Sequence, residues 1–176
     1  MIYVNIPYRT DKNLSKAYNE AIRLIPENEF ICLKDWDCYF LIPEHIAMIE
    51  KYTELYPDAV LTCLTNRIHP LSQEQLYAGH VSENSDLKYH IKIAQTLSKK
   101  PYDVIEIKEH LSGFLMVFNK RIWERIKFDG EGCLGIDTNF RKQLQKNHIP
   151  MYVMQNIYVF HQYRIMTGIH DKSHLK

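Results

Sequence analysis

Phe30-Ile31-Cys32-Leu33-Lys34-Asp35-Trp36-Asp37 is the stretch on which the fold turns. Four apolar residues in a row have the length and character of a strand buried on both faces, as in a parallel sheet. The run breaks at Lys34 and passes to two aspartates separated by a tryptophan. In extended backbone, residues i and i+2 point the same way, so Asp35 and Asp37 face one side and Trp36 the other. Two carboxylates at a strand end, where α/β sheets bind ligands, make a hard-oxygen site for Mg2+ or Mn2+. Such a cation would hold a phosphate or diphosphate and neutralise its charge. The plainer alternative is two solvated acids in a turn, capping a helix or pairing with Lys34.

Outward from this stretch, strands and helices alternate. Residues 2–6 read as a short strand that stops at Pro7. Leu14, Ala17, Tyr18, Ala21, Ile22 and Ile25 recur at helical spacing, and Pro26 ends that helix. A second helix follows Pro43, with Ile46, Ile49, Tyr52 and Leu55 or Tyr56 on one face, and residues 59–64 read as another strand. This alternation predicts an α/β layer with a largely parallel sheet. Residues 65–100 are more polar, carry Pro70 and Gly79, and hold a helix over 86–97; such an excursion suits a binding loop or lid. Strands follow at 104–107 and 114–118, a short helix at 120–126, and a helix from about 137 to 145 with Ile136, Phe140 and Leu144 on one side. Strands at 151–154 and 158–161 close the pattern, ahead of a polar tail.

Composition narrows the class. The 176 residues fit one domain. Lys and Arg number 22 against 21 for Asp and Glu, a net charge of +1, so the basic excess of a nucleic-acid binder is absent. The longest apolar runs, 38–42 and 114–118, are five residues each, far below the roughly 20 that span a bilayer. The N-terminus lacks the basic start and apolar core of a signal peptide. Cys32, Cys38, Cys63 and Cys133 are scattered, without a C-x-x-C pair, as expected of reduced thiols. A cytoplasmic protein without a transmembrane segment is expected, with peripheral membrane contact left open.

Three further motifs bear on chemistry. Gly130-Glu131-Gly132-Cys133-Leu134-Gly135 spells G-x-G-x-x-G, but a helical segment precedes it and no acid lies between Thr138 and His170. A dinucleotide fingerprint needs a strand before and an acid after, so that reading is rejected. The turn instead delivers Asp137 to a helix start, where an ordinary cap is the default role. His161 ends the last apolar run; an imidazole beside two carboxylates would favour Mn2+ over Ca2+. His170 and His174 stand four apart but lack the glutamate of a zinc-protease motif.

Taken in order, these pieces resemble a family 2 glycosyltransferase of the GT-A fold. Lys16-Ala17-Tyr18-Asn19-Glu20-Ala21 is similar to the helix before that family's acid motif, and residues 30–41 to its strand and D-x-D segment. Ser112-Gly113-Phe114, then Lys120-Arg121-Ile122-Trp123, resemble its glycine strand and basic turn. Gly135-Ile136-Asp137 through Arg141 resembles its "ED" helix, with Ile136 standing in for the first acid, and Tyr158-Val159-Phe160-His161 resembles its closing strand.

The resemblance implies a mixed, mostly parallel sheet flanked by helices over residues 1–164, with 165–176 a polar tail. It implies a nucleotide-sugar donor, a glycan or other hydroxyl acceptor, and a Mn2+ or Mg2+ cofactor held by Asp35, Asp37 and His161. Asp137 would be the general base and the sugar carbon would invert. Pro7, Tyr8, Arg9, Asn19 and Trp36 would contact the donor, and Ser112 and Gly113 the acceptor. Two other readings remain open at this level: a non-catalytic nucleotide-sugar or glycan-binding module of the same fold, and a haloacid-dehalogenase-like phosphohydrolase, whose chemistry also begins at a D-x-D after a strand.

Overall fold

The computed structural model describes residues 1–69 and 72–163. Pro70, the tail 165–176 and the pair His170 and His174 lie outside them. In chain order the elements are β1 (Ile2–Asn5), α1 (Leu14–Arg23), β2 (Phe30–Lys34), β3 (Cys38–Phe40), α2 (His45–Leu55), β4 (Val60–Thr65), α3 (Leu87–Leu97), β5 (Val104–Glu106), β6 (Leu115–Asn119), α4 (Lys120–Arg125), α5 (Ile136–Lys146) and β7 (Met151–His161). Two short 3-10 turns, Gln73–Gln75 and Tyr77–Gly79, lie between β4 and α3.

The strands form one open sheet in the order β1-β2-β6-β4-β7-β3, with β5 also paired to β7. β1 runs parallel to β2, and β4 to β7, while β6 is antiparallel to both of its neighbours. Strands β1, β2, β4 and β7 therefore share one direction, and β3, β5 and β6 oppose it. The sheet is mixed with a parallel majority. This topology has a functional consequence: the segments leaving β1, β2, β4 and β7 and the segment entering β6 all meet at one edge of the sheet.

Burial explains why the apolar runs carry no alternation. Ile31 and Leu33 pack into the core layer that also holds Tyr18 and Ile22 of α1, Ala94 and Leu97 of α3, and Phe140 and Leu144 of α5. Cys32, between them, packs into the opposite layer with Met48, Ile49 and Tyr52 of α2. Met116 and Phe118 of β6 take the first side, Leu115 and Val117 the second. Both faces of the central strands are thus covered, each full burial of a large side chain stabilising by about 1.5–3 kcal/mol. Helix starts are fixed locally: the Asn13 side chain accepts from the Lys16 N–H, Asp86 from Lys88 and Asn119 from Arg121.

Two features depart from the sequence reading. The separate strands expected at 151–154 and 158–161 are one strand, β7, bent at a bulge. Cys63 pairs with Met154 but Leu64 with Tyr158, so residues 155–157 have no counterpart on β4. The bulge residue Asn156 is buried and satisfied, accepting from the Tyr52 hydroxyl (2.7 Å) and donating to the Lys100 carbonyl (3.1 Å). The second departure is β3, three residues long. It covers the outer edge of β7 over Val159–His161, as β5 does over residues 152–154.

Candidate metal centre

The pairing of β3 with β7 places Cys38 opposite His161. Asp35 and Asp37 lie in the turn that joins β2 to β3. The Asp35 N–H donates to the Phe114 carbonyl (2.9 Å), the Cys38 N–H to the Asp35 carbonyl (3.2 Å), and the Gln162 N–H to the Asp37 carbonyl (2.9 Å). The turn is thereby tied to β6 on one side and to the end of β7 on the other. One ligand atom from each of Asp35, Asp37 and His161 lies within 4.8 Å of the other two. The three residues expected to hold a cation converge, and the group could hold a metal ion.

The tautomer of His161 sharpens this geometry. Its Nδ1 is 2.8 Å from the Arg67 carbonyl oxygen, which can only accept, so Nδ1 carries the hydrogen. In the neutral ring Nε2 then presents a lone pair. That atom is buried without a hydrogen-bond partner. It sits 3.3 Å from Asp37 Oδ1 and 3.9 Å from Asp35 Oδ2, near enough for charge to act but not aligned as a hydrogen bond. A lone pair facing two carboxylates is repulsive unless a positive charge lies between them. Either a proton on Nε2 or a metal ion supplies it, and a backbone carbonyl on the far ring nitrogen is the usual way to orient a ligating imidazole.

Burial and charge set the acids apart. The Asp35 side chain is 41% exposed and that of Asp37 17%, with His161 at 4%. The site is open on the Asp35 side. Desolvation pushes the Asp35 carboxyl up to about 6, with Asp37 and Asp137 pushing the same way and His161 and Lys34 opposing. Burial also pulls Asp37 upward, but His161, by contact and by charge, outweighs it and holds Asp37 below the usual carboxylate range.

Asp137 stands near enough for its charge to be felt at Asp35. Gly135, at φ 76, occupies the N-cap position of α5 and supplies no side-chain cap, so Asp137 does not fill the capping role expected of it. Asp137 lies in the first turn instead. Its Oδ1 accepts from the Thr138 N–H (2.7 Å) and its Oδ2 from the Gly113 N–H (3.2 Å). A Cβ at position 113 would lie 3.3 Å from the Asp137 Cβ, so the glycine permits this approach. Ser112, next to it, donates its N–H to Gln75 Oε1 at 2.9 Å.

The residues expected at the donor fall into two groups. Tyr8 and Trp36 present exposed rings, 82% and 72% accessible, in segments that leave the same sheet edge as Pro7. Asn19 and Arg9 are engaged within the protein. Asn19 donates to the Phe128 carbonyl and accepts from Trp123 Nε1 and the Phe128 N–H, clamping α1 to the segment after α4. Arg9 is ion-paired with Asp11 and Glu20, which raise its pKa further. The glycine turn 130–135 packs on the start of α1, with the carbonyls of Gly132 and Gly130 accepting from the Leu14 N–H and the Ser15 hydroxyl.

Two contributors lay outside the sequence reading. Asn66 Oδ1 accepts the His161 N–H at 2.7 Å, and the Arg67 carbonyl orients the ring. The Arg67 guanidinium is fully buried, donating to the Tyr163 carbonyl and pairing with Glu83. The available signal is a polar Asn-Arg pair directly after the buried strand β4, which ends at Thr65.

No protein-family model matches the chain, and no curated protein matches it. No helix among the described residues is long and apolar enough to cross a membrane.

Proposed function

We propose that the protein is a metal-dependent, inverting glycosyltransferase that moves a sugar from a nucleotide-sugar donor to a hydroxyl acceptor. The observation that carries this reading is the convergence of Asp35, Asp37 and the Nε2 lone pair of His161. One imidazole nitrogen and two carboxylates suit Mn2+ or Mg2+, with nitrogen favouring Mn2+ over Ca2+. Bound there, such a cation would neutralise the diphosphate of the donor and the charge that develops on it as it leaves.

The chain's own residues do the rest. Asp35, Asp37 and His161 would hold the cation, with Asp35 on the open side of the site and His161 on the buried side. Asp137 takes the proton of the acceptor hydroxyl as that oxygen attacks the anomeric carbon. Its Oδ2 is held by the Gly113 N–H and its Oδ1 by the Thr138 N–H, so the carboxylate is aimed before substrate arrives. One base and no covalent intermediate give inversion. Trp36 and Tyr8 offer exposed rings on which the nucleoside can stack.

The experiment is incubation with Mn2+ and a panel of nucleotide sugars with simple glycoside acceptors. Release of nucleoside diphosphate that requires the metal, and is lost in Asp37→Ala and Asp137→Asn, supports the reading. Donor binding without turnover would favour a non-catalytic binding module, and phosphate release from simple monophosphates a phosphohydrolase.

A further inference from the structure

The net charge of +1 hides an uneven distribution. α2 covers one face of the sheet, and its exposed charges are Glu50, Lys51 and Glu54, with Lys51 paired to Glu54 at 2.8 Å. Helices α3 and α5 cover the other face, sharing one core layer through Ala94, Leu97, Phe140 and Leu144. Their outer surfaces therefore look the same way. From Leu87 to Leu97, α3 carries Lys88 and Lys92 and no acid. α5 carries Arg141, Lys142 and Lys146, its only acid being Asp137 in the first turn. Lys99 and Lys100 follow α3 directly and are also exposed.

The spacing of these lysines carries a cost. Lys88 and Lys92 are four residues apart, as are Lys142 and Lys146, so on each helix the pair sits side by side. Like charges at that spacing destabilise a helix. Lys88 also stands in the first turn, where the positive end of the helix dipole opposes it. At about 100° per residue, each pair points away from the buried side of its helix, His90, Ala94 and Leu97 on α3 and Phe140 and Leu144 on α5. All four lysines are exposed, and among the described residues none is ion-paired. A repeated cost with no partner inside the protein is relieved by negative charge outside it.

The side chains narrow the partner. Lysine is a point charge on a flexible stem, without the fork that grips one phosphate bidentately. Lysines spread over the outer surface of two helices suit a broad anionic surface rather than a single anionic group. On α3, Leu87 and Tyr89 lie on either side of Lys88 in sequence and are 50% and 43% exposed. Exposed apolar and aromatic side chains beside lysines are the build of a helix that lies among lipid headgroups, its lysine stems reaching up to the phosphates. Four lysines on amphipathic helices are also the scale at which anionic lipid attracts a protein.

We propose that the outer surface of α3 and α5 docks the protein on an anionic lipid surface, with Lys88, Lys92, Lys142 and Lys146 over the lipid head charges and Leu87 and Tyr89 at headgroup level. This goes beyond the transferase reading and does not depend on it.

The test is co-sedimentation of the full chain, without metal or nucleotide, with vesicles of phosphatidylcholine alone and of three parts phosphatidylcholine to one part phosphatidylserine. The expected result is binding to the mixed vesicles only, weakening as salt screens the charges. Lys88→Gln/Lys92→Gln and Lys142→Gln/Lys146→Gln should each weaken that binding by about 25-fold, from about fivefold per lysine. All four positions are exposed, so the substitutions leave the core untouched. Lys51→Glu removes the same two units of charge from α2 on the opposite face and should bind as the wild type does. No binding to the mixed vesicles, or equal binding to phosphatidylcholine alone, would overturn the proposal. Equal losses in Lys51→Glu and in the two double variants would overturn it as well, because net charge rather than this surface would then be at work. Heparin or duplex DNA binding more tightly than the mixed vesicles would replace the lipid surface with a soluble polyanion.

Discussion

Two buried histidines, one on the sheet and one on a helix packed over it, have opposite fates. His45, the first residue of α2, is fully buried with both ring nitrogens unpartnered, packed against Phe40. Desolvation pushes its pKa down to about 4, against a weaker pull from Glu44. His161, at the end of β7, is equally buried but has one nitrogen fixed by the Arg67 carbonyl and the other facing two carboxylates. Burial alone makes an imidazole neutral and inert. Orientation from one side and negative charge on the other make the same ring able to hold a cation. The difference lies in where the sheet delivers each residue: His161 to the edge where strand ends meet, His45 to a helix packed over a face.

That contrast can be broken at His161 first. His161→Ala should weaken Mn2+ binding by at least about a hundredfold, since even an outer partner of a ligand is worth 10- to 100-fold; metal titration by calorimetry reads this directly. Asp37→Asn makes the surroundings of His161 more like those of His45, and should weaken binding by about tenfold or more on the same titration. Retained affinity in both would show that the cation binds elsewhere.

The His45 side of the contrast predicts a pH effect on stability. Its folded pKa, about 4, lies below the unfolded value near 6.5, so the unfolded chain takes up the proton first. The contribution is intact above about pH 6.5 and is lost as pH falls toward 4. The full loss is on the order of 3 kcal/mol, from about 2.5 pKa units at 1.36 kcal/mol each. Denaturant melts of wild type and His45→Phe across that range should show a shallower acid decline in the variant. At neutral pH the variant should differ least of all, unchanged or more stable by about 1 kcal/mol, because no hydrogen bond is lost.

The pattern of what could be read in the sequence follows the same physics. The run 30–33 is apolar on both faces because two core layers cover it, and that signal survives in one dimension. Asp35, Asp37 and His161 could be named because each sits where an apolar run stops. β3 could not, since three residues at a sheet edge carry no period and depend on pairing with β7. The bulge at residues 155–157 imitates a loop, because Gln155 and Asn156 interrupt the apolar pattern although Asn156 is buried and bonded. Asn66 and Arg67 acquire their roles only when β4 and β7 lie side by side, which joins residues far apart in the chain.

The most direct test of the central claim is pulsed electron paramagnetic resonance of Mn2+ added to the protein. Asp35, Asp37 and His161 as joint ligands predict a bound ion coupled to one imidazole nitrogen, with that coupling gone in His161→Ala and retained in His45→Phe. A bound Mn2+ with no nitrogen coupling, or a coupling unchanged in His161→Ala, would contradict the account.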